Sequence, residues 1–252
     1  MTAPAADPPI PPAPEAAWFD AHAAGYQQAV DRSIAFTGRD SAFFARRKAR
    51  LLGRIAAAHG RPLAASRVLD VGCGTGTFAS ALVGQVAELT GVDVSEQMLA
   101  EARRQVPTAR FVGSDGTGLP FPDGSFDLVV AVCALHHVPP AQRPGFAAEL
   151  LRVASPGGLV AVLEHNPSNP LTRRAVDRCP LDEGVELVSA GAVADLLHGA
   201  GGRVVRRDHI FFSPFGGPVG DAVDRWCRRI PLGAQHLVLA ETPRGLRRPA
   251  GR

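Results

Sequence analysis

The stretch VLDVGCGTGTF, Val68 to Phe78, constrains the fold more than any other part of the chain. An apolar run ends in an acid, Asp70, and Gly72, Gly74 and Gly76 then alternate with small residues. The apolar run reads as a buried strand. Glycines at every second position let the backbone turn tightly and approach a neighbour closely. A helical pattern resumes at Thr77. Strand, glycine turn and helix in that order open an α/β sheet, whose ligands bind beyond the carboxyl ends of its strands.

The rest of the chain repeats the alternation. Strands are predicted at 67–71, 88–92, 110–112, 126–131 and 159–164, with helices near 77–86, 95–105, 141–153 and 190–199. GRVVRRDHIFFSPF and AQHLVLAETP read as two late strands joined by a helix around 221–229. Such alternation predicts a parallel sheet covered on both faces. Before it, residues 18–60 form a helical cap, with Phe44, Leu51, Leu52 and Ile55 on one stripe. Ser41 is the expected N-cap of that stripe, and Gly60 and Pro62 end it. Residues 1–17, rich in proline and alanine, are expected to form a disordered arm. The main domain then spans 61–242, with a lid-like, proline-containing insertion at 166–188, and 243–252 is a basic flexible tail.

Composition narrows the function classes. In 252 residues the hydrophobic fraction is 46% and the formal net charge only +3, enough for a large core and too little for an obvious nucleic-acid footprint. Cys73, Cys133, Cys179 and Cys227 stand far apart, in no zinc or disulfide pattern. No apolar run reaches membrane-spanning length, and no signal-peptide pattern opens the chain, so a cytoplasmic protein is expected.

The acid before the glycines separates two readings of the turn. A carboxylate at Asp70 would repel the pyrophosphate of a dinucleotide, and the spacing is G-x-G-x-G rather than G-x-G-x-x-G. It suits instead the positively charged amino-acid end of S-adenosylmethionine. Asp93, ending the second strand, could accept from both ribose hydroxyls, a role that nicotinamide enzymes share. Met98 fits either an adenine face or the core. Asp115 could accept from the adenine amino group or serve as a turn aspartate, with Gly116 letting the backbone near the ring. Asp127 is expected to be structural.

Four segments in this order are D-x-G-x-G-x-G at Asp70, D-V-S-x-x-M-L at Asp93, S-D-G-x-x-L-P-F-x-D-x-S-F-D at Ser114 and L-H-H-V at Leu135. Over residues 42–240 the chain resembles the class I S-adenosylmethionine-dependent methyltransferases, and most closely the small bacterial members with L-H-H-V after strand four. The resemblance implies a Rossmann-like, doubly wound sheet of seven strands ordered 3-2-1-4-5-7-6, with strand 7 antiparallel. It implies S-adenosylmethionine as cofactor and S-adenosylhomocysteine (SAH) as product. The expected cofactor contacts are Asp70, Gly72, Cys73, Gly74, Gly76, Asp93, Val94, Met98, Asp115, Gly116 and Cys133.

The residues after strands four and five disfavour special acceptors. VCALHHVPP is not the N-P-P-Y of amino-directed nucleobase enzymes, and it lacks the glutamates of protein arginine methyltransferases. Cys179-Pro180 reverses the order that a cytosine C5 enzyme needs. Cys133 and Ala134 stand where catechol-type enzymes place a metal-binding acid, so no metal is expected. A small-molecule acceptor remains, methylated on oxygen, nitrogen or an acidic carbon by a monomer or homodimer. His165 is the preferred base, with His136 and His137 as further candidates. Glu164 is expected to cap a helix or pair with an arginine of TRRAVDR. Arg46, Arg47, Arg173 and Arg174 could meet an anionic group or remain solvated. Two other classes stay open: a protein that binds the cofactor without methyl transfer, such as a cyclase or partner subunit, and an RNA methyltransferase. Label transfer to metabolites distinguishes the first, and salt-sensitive RNA retention the second.

Overall fold

The computed structural model describes residues 14–244. The expected arm and tail therefore lie mostly outside the described residues. Residues 14–17, expected in the arm, belong instead to helix α1 (Pro14–His22). The cap is three helices rather than one run: α1, α2 (Tyr26–Ser33) and α3 (Ser41–Ala58), linked by single 3-10 turns. Asp40, not Ser41, caps α3 by accepting from the Phe43 amide at 2.7 Å. The Ser41 hydroxyl donates instead to Asp31 of α2 at 2.6 Å, pinning one cap helix to the next.

The sheet is β1 (Arg67–Val71), β2 (Glu88–Asp93), β3 (Arg110–Gly113), β4 (Phe126–Val132), β5 (Ala154–His165), β6 (Arg203–Ile210) and β7 (Gln235–Glu241). Its order is β3-β2-β1-β4-β5-β7-β6, with β7 antiparallel to both neighbours and the other strands parallel. Helices α4 (Thr77–Leu82), α5 (Glu96–Gln105), α6 (Arg143–Val153), α8 (Ala190–Gly199) and α9 (Gly217–Cys227) flank the sheet, and α7 (Pro170–Asp177) lies within the expected insertion. β5 starts five residues before its predicted start at Leu159, because a bulge around Pro156–Gly158 lets Ala154 pair with Phe126. α4 ends early at Leu82, where Val83 turns extended and Gly84 takes φ +78°.

Alternate residues along the strands feed two cores. Val68, Leu128, Ala161, Leu163 and Leu237 meet Leu52 and Ile55 of α3 and Leu82 of α4 on one face. Leu69, Val129, Val160 and Val238 meet Leu150 of α6 and Leu197 of α8 on the other. At the amino end of the sheet, Asp127 accepts from the Arg67 amide at 3.0 Å and pairs with the guanidinium groups of Arg67 and Arg61. It has the structural role expected of it. Among the described residues no helix is long and apolar enough to cross a membrane.

Gly76 caps α4 at φ +84°, and a Cβ there would stand 3.1 Å from Cα and Cβ of Ala102 in α5. Gly60 has a similar φ of +72° with open space around it. Gly60→Ala should cost about 1–2 kcal/mol through backbone strain alone. Gly76→Ala should cost a further ~1–3 kcal/mol through overpacking against the α5 backbone. Urea midpoints of the two variants measure the difference. Equal losses would show that α5 yields freely.

Candidate active site

The glycine turn is held from two sides. The amides of Gly72 and Cys73 donate to the Val92 carbonyl at 2.8 and 3.1 Å. The Gly74 amide donates to Asp93 Oδ2 at 2.8 Å, and the Ser95 amide to Asp93 Oδ1 at 3.0 Å. Gly72 sits at φ +69°, where a Cβ would lie 2.6 Å from the Ala134 Cβ after β4. The turn is thus wedged between the carboxyl ends of β2 and β4, at the point where strand order reverses.

A cavity of about 490 Å³ opens beside it, lined by Gly72, Gly74, Asp93, Val94, Met98 and Gly116. These six residues are among the expected cofactor contacts, and the fold brings them together. Asp93 keeps acceptor capacity beyond its two amide bonds, and burial pushes its carboxyl upward against those bonds. Cys133, also expected, lines it too, whereas Asp70, Cys73, Gly76 and Asp115 do not. Gly76 lines no cavity here and packs on α5. Asp115 is exposed and holds its own turn, accepting from the Thr117 amide and hydroxyl at 2.9 and 2.7 Å. The cap closes the cleft from outside. Asp20 of α1 accepts from the Ser95 hydroxyl at 2.6 Å, and Phe19 and Tyr26 join the lining.

A second cavity, also about 490 Å³, lies on the other side of the turn. Its walls are apolar, including Val30, Ile34, Phe44, Leu171, Leu181 and Phe211. Its floor is polar, with Asp70, Lys48, Cys133, His136, His137 and His165. Cys73 belongs to this side as well. Tyr26, Gly72, Gly74, Cys133 and His137 line both cavities, so the two meet there. Cys133 takes the left-handed φ of +51°, uncommon without glycine, directly at the junction. α7 and the 3-10 turn Pro180–Asp182 cover this cavity, and Cys179 and Leu181 pack on Ala29 of α2.

The floor carries the site's electrostatics. Asp70 is buried with Oδ2 unpartnered, and burial, then the charge of Asp93, raises its carboxyl to about 7. His136 Nδ1 and Glu164 Oε2 are 2.6 Å apart and buried, and Glu164 Oε1 accepts from the Leu135 amide at 2.7 Å. Burial opposes both charges, yet the contact holds His136 protonated and Glu164 ionised. Burial, then the charge on His136, pushes His137 down to about 3 and His165 to about 4. Both are therefore neutral at physiological pH. Asp182 Oδ1 lies 3.5 Å from Nε2 of both His136 and His137.

Several expectations are corrected by this geometry. Glu164 serves His136 rather than an arginine of α7. Arg47 is neither solvated nor in a cavity but buried against Asp224 at 2.7 Å, whereas Arg46, Arg173 and Arg174 are exposed and line neither cavity, in keeping with the solvated alternative. Lys48, the chain's single lysine, lines the cavity instead. Tyr26, Lys48, Asp182 and Gln235 were not among the expected site residues. Asp182 alone carried a signal, being an acid inside an insertion expected to cover the strand ends.

The family model described as "Methyltransferase domain" matches residues 68–158. A demethylmenaquinone methyltransferase of Clavibacter sepedonicus is 40% identical over 140 residues, covering 53% of this chain and 56% of that protein. A trans-aconitate 2-methyltransferase of Variovorax paradoxus is 31% identical over 205 residues, covering 71% of this chain and 77% of that protein. The chain spans only about half the length of the first curated relatives it matches, 40–56%. Among solved structures, magnesium protoporphyrin IX methyltransferase from Synechocystis PCC 6803 with bound SAH superposes with a TM-score of 0.62. That likeness covers 90% of this chain and 98% of that one at 15% identity, and shows the fold. With the strand order, the glycine turn tied to Asp93 and these relatives in agreement, the chain belongs to the class I S-adenosylmethionine-dependent methyltransferases.

Proposed function

We propose that the chain transfers a methyl group from S-adenosylmethionine to a hydroxyl on a small, largely apolar acceptor. The observation that carries this reading is the pair of cavities meeting at Gly72, Gly74, Tyr26, Cys133 and His137. The cleft beside Asp93 fits the cofactor: it offers a carboxylate to a diol and close backbone at Gly72, Gly74 and Gly116. Asp70, a buried acceptor lacking a donor, lies on the floor of the adjoining cavity, and in this reading the cofactor's positive end reaches it across the junction. Bound there, S-adenosylmethionine supplies an electrophilic methyl on sulfur and departs as the neutral thioether.

The chain's own contribution is to orient the acceptor, exclude water and take one proton. The two curated relatives differ in acceptor, one name indicating a quinone and the other trans-aconitate. The apolar walls favour the first kind, since a polyanion would meet only Lys48 and a His136 already paired with Glu164. α7 and the turn at Asp182 act as the lid over this cavity, leaning on α2. An oxygen attacking the methyl becomes far more acidic than any imidazolium, so even a weakly basic imidazole can accept its proton. His165 is the base that the sequence favours. His137 alone of the three histidines lines both cavities, and we assign the proton acceptor to it.

Label transfer tests the function. Methyl-labelled S-adenosylmethionine incubated with hydroquinones and phenols carrying apolar side chains should yield SAH and labelled ether. Cofactor binding without transfer to any such acceptor would leave a binding protein instead.

His137→Ala should lower kcat by about 10²–10⁴-fold while changing cofactor affinity only a few-fold. A loss of that size confined to His165→Ala would return the role to the end of β5. Because His137 and His165 titrate near 3 and 4, kcat at saturating cofactor should stay flat as pH falls from 8 to 6. A limb near histidine's ordinary value of about 6.5 would contradict this assignment.

Asp70 predicts a pH dependence of the opposite kind. A cation binds the carboxylate and not the acid, so cofactor affinity should rise with pH through about 7 and then level off. Calorimetric titrations across that range should show the rise in the wild type and its absence in Asp70→Asn. A wild-type slope retained by Asp70→Asn would place the titrating group elsewhere.

A further inference from the structure

The polar floor of the acceptor cavity contains an arrangement that methyl transfer by itself does not require. His136 leaves the end of β4, His165 is the last residue of β5, and Asp182 lies in the 3-10 turn after α7. Three separate segments thus bring one ligand-type atom each to a single place, all within 4.8 Å of one another. His136 Nε2 is 3.5 Å from Asp182 Oδ1. Neighbouring ligands on an ion about 2.1 Å from each stand roughly 3.0–3.4 Å apart, so this pair is nearly in place. The longest separation in the set, within 4.8 Å, has to shorten when an ion is held.

Two further observations point to a ligand. His136 Nε2 is buried without a hydrogen-bond partner, on a residue only 3% exposed. Its other nitrogen, Nδ1, lies 2.6 Å from Glu164, which is itself anchored by the Leu135 amide. A carboxylate behind an imidazole orients the opposite nitrogen toward a metal and makes it a better donor. The expectation of no metal rested on Cys133 and Ala134 occupying the position used by catechol-type enzymes. The present cluster draws on other positions and is untouched by that argument.

We infer that His136, His165 and Asp182 form a site for one divalent transition-metal ion of the zinc, iron(II) or manganese class, the ion displacing the Nε2 proton that His136 carries in the metal-free chain. Two imidazoles and one carboxylate suit such ions better than magnesium or calcium, which prefer oxygen ligands. Three protein ligands leave positions open toward the cavity, where an acceptor oxygen can bind. The role of the ion rests on the proposed acceptor chemistry: it would hold the acceptor hydroxyl and favour its ionised form. The hydroxyl proton then leaves to His137, the oxygen lone pair forms the O–CH3 bond, and the S–CH3 electron pair stays on sulfur. Binding of the ion does not depend on that reading.

The test is therefore run on the untagged full chain without cofactor or acceptor. Cobalt(II), zinc(II) and manganese(II) are titrated in turn, and bound metal is counted by elemental analysis after desalting. Wild type should bind one equivalent of at least one of these ions, with cobalt giving the visible absorption of a nitrogen–oxygen ligand set. Asp182→Asn and His165→Gln, in the lid and at a strand end, should each weaken binding by at least ~10-fold. Circular dichroism and melting of the metal-free variants would show that their fold persists. Glu164→Gln should weaken binding by about 10–100-fold although it touches no metal, a loss that marks it as a positioning residue. The inference is overturned if no ion binds near stoichiometry, or if the folded variants bind as well as wild type. Thiolate-to-cobalt charge-transfer absorption would also overturn it, by placing the ion on a cysteine. Failure of methyl transfer with metal bound would count against the acceptor reading and leave the site standing.

Discussion

The hydrogen bond from the Gly74 amide to the Asp93 carboxylate ties the first strand's turn to the end of the second strand, and the site is built around it. A buried carboxylate left unpaired would be costly, so the glycine turn and the acid stabilise one another. With the turn pinned, Gly72 abuts Ala134 and fixes where the chain leaves β4. That exit places Cys133 and His137 at the junction of the two cavities. One polar contact thereby helps to place the turn that lies between the two cavities.

Strand parity does the rest. Val68 and Leu163 face the core shared with α3, so Asp70 and His165, two residues further on, share their side of the sheet. Gln235 pairs in register with His165 and lines the same cavity. Glu164 is one residue out of phase and meets His136 from the opposite side. The same alternation that buries leucines mid-sheet delivers acids and histidines at the strand ends, where backbone pairing stops and a ligand can replace it.

This explains what was legible in the sequence. The alternating strands and helices and the glycine turn follow from short local patterns, since glycine spacing and strand-terminal acids act within one βα unit. The strand order and the antiparallel seventh strand came only from the family resemblance. Gly76 and Asp115 illustrate the limit of those patterns. Both belong to the motif, yet one spends its missing side chain on helix packing and the other on its own turn. The acceptor side was far less legible because it is assembled from distant segments. Tyr26, Lys48, Asp182 and Gln235 come from four elements, and nothing near any of them in sequence announces the others. Of the arginines considered, Arg47 has the right helix but finds Asp224 first, and the other three stay exposed.

The histidine cluster shows how a costly buried charge can still organise a site. Keeping His136 and Glu164 ionised in the interior opposes their desolvation, and their pairing mainly offsets that cost instead of adding stability. Its consequence lies in the neighbouring rings. His137 is 4.1 Å from His136, centroid to centroid, and His165 is 5.3 Å away. A positive charge at that distance, in a buried setting, disfavours a second and a third, so both neighbours keep their lone pairs. Glu164 thus acts on the junction without reaching it. By holding one imidazole charged, it adds to the burial that keeps neutral the imidazole standing between the two cavities.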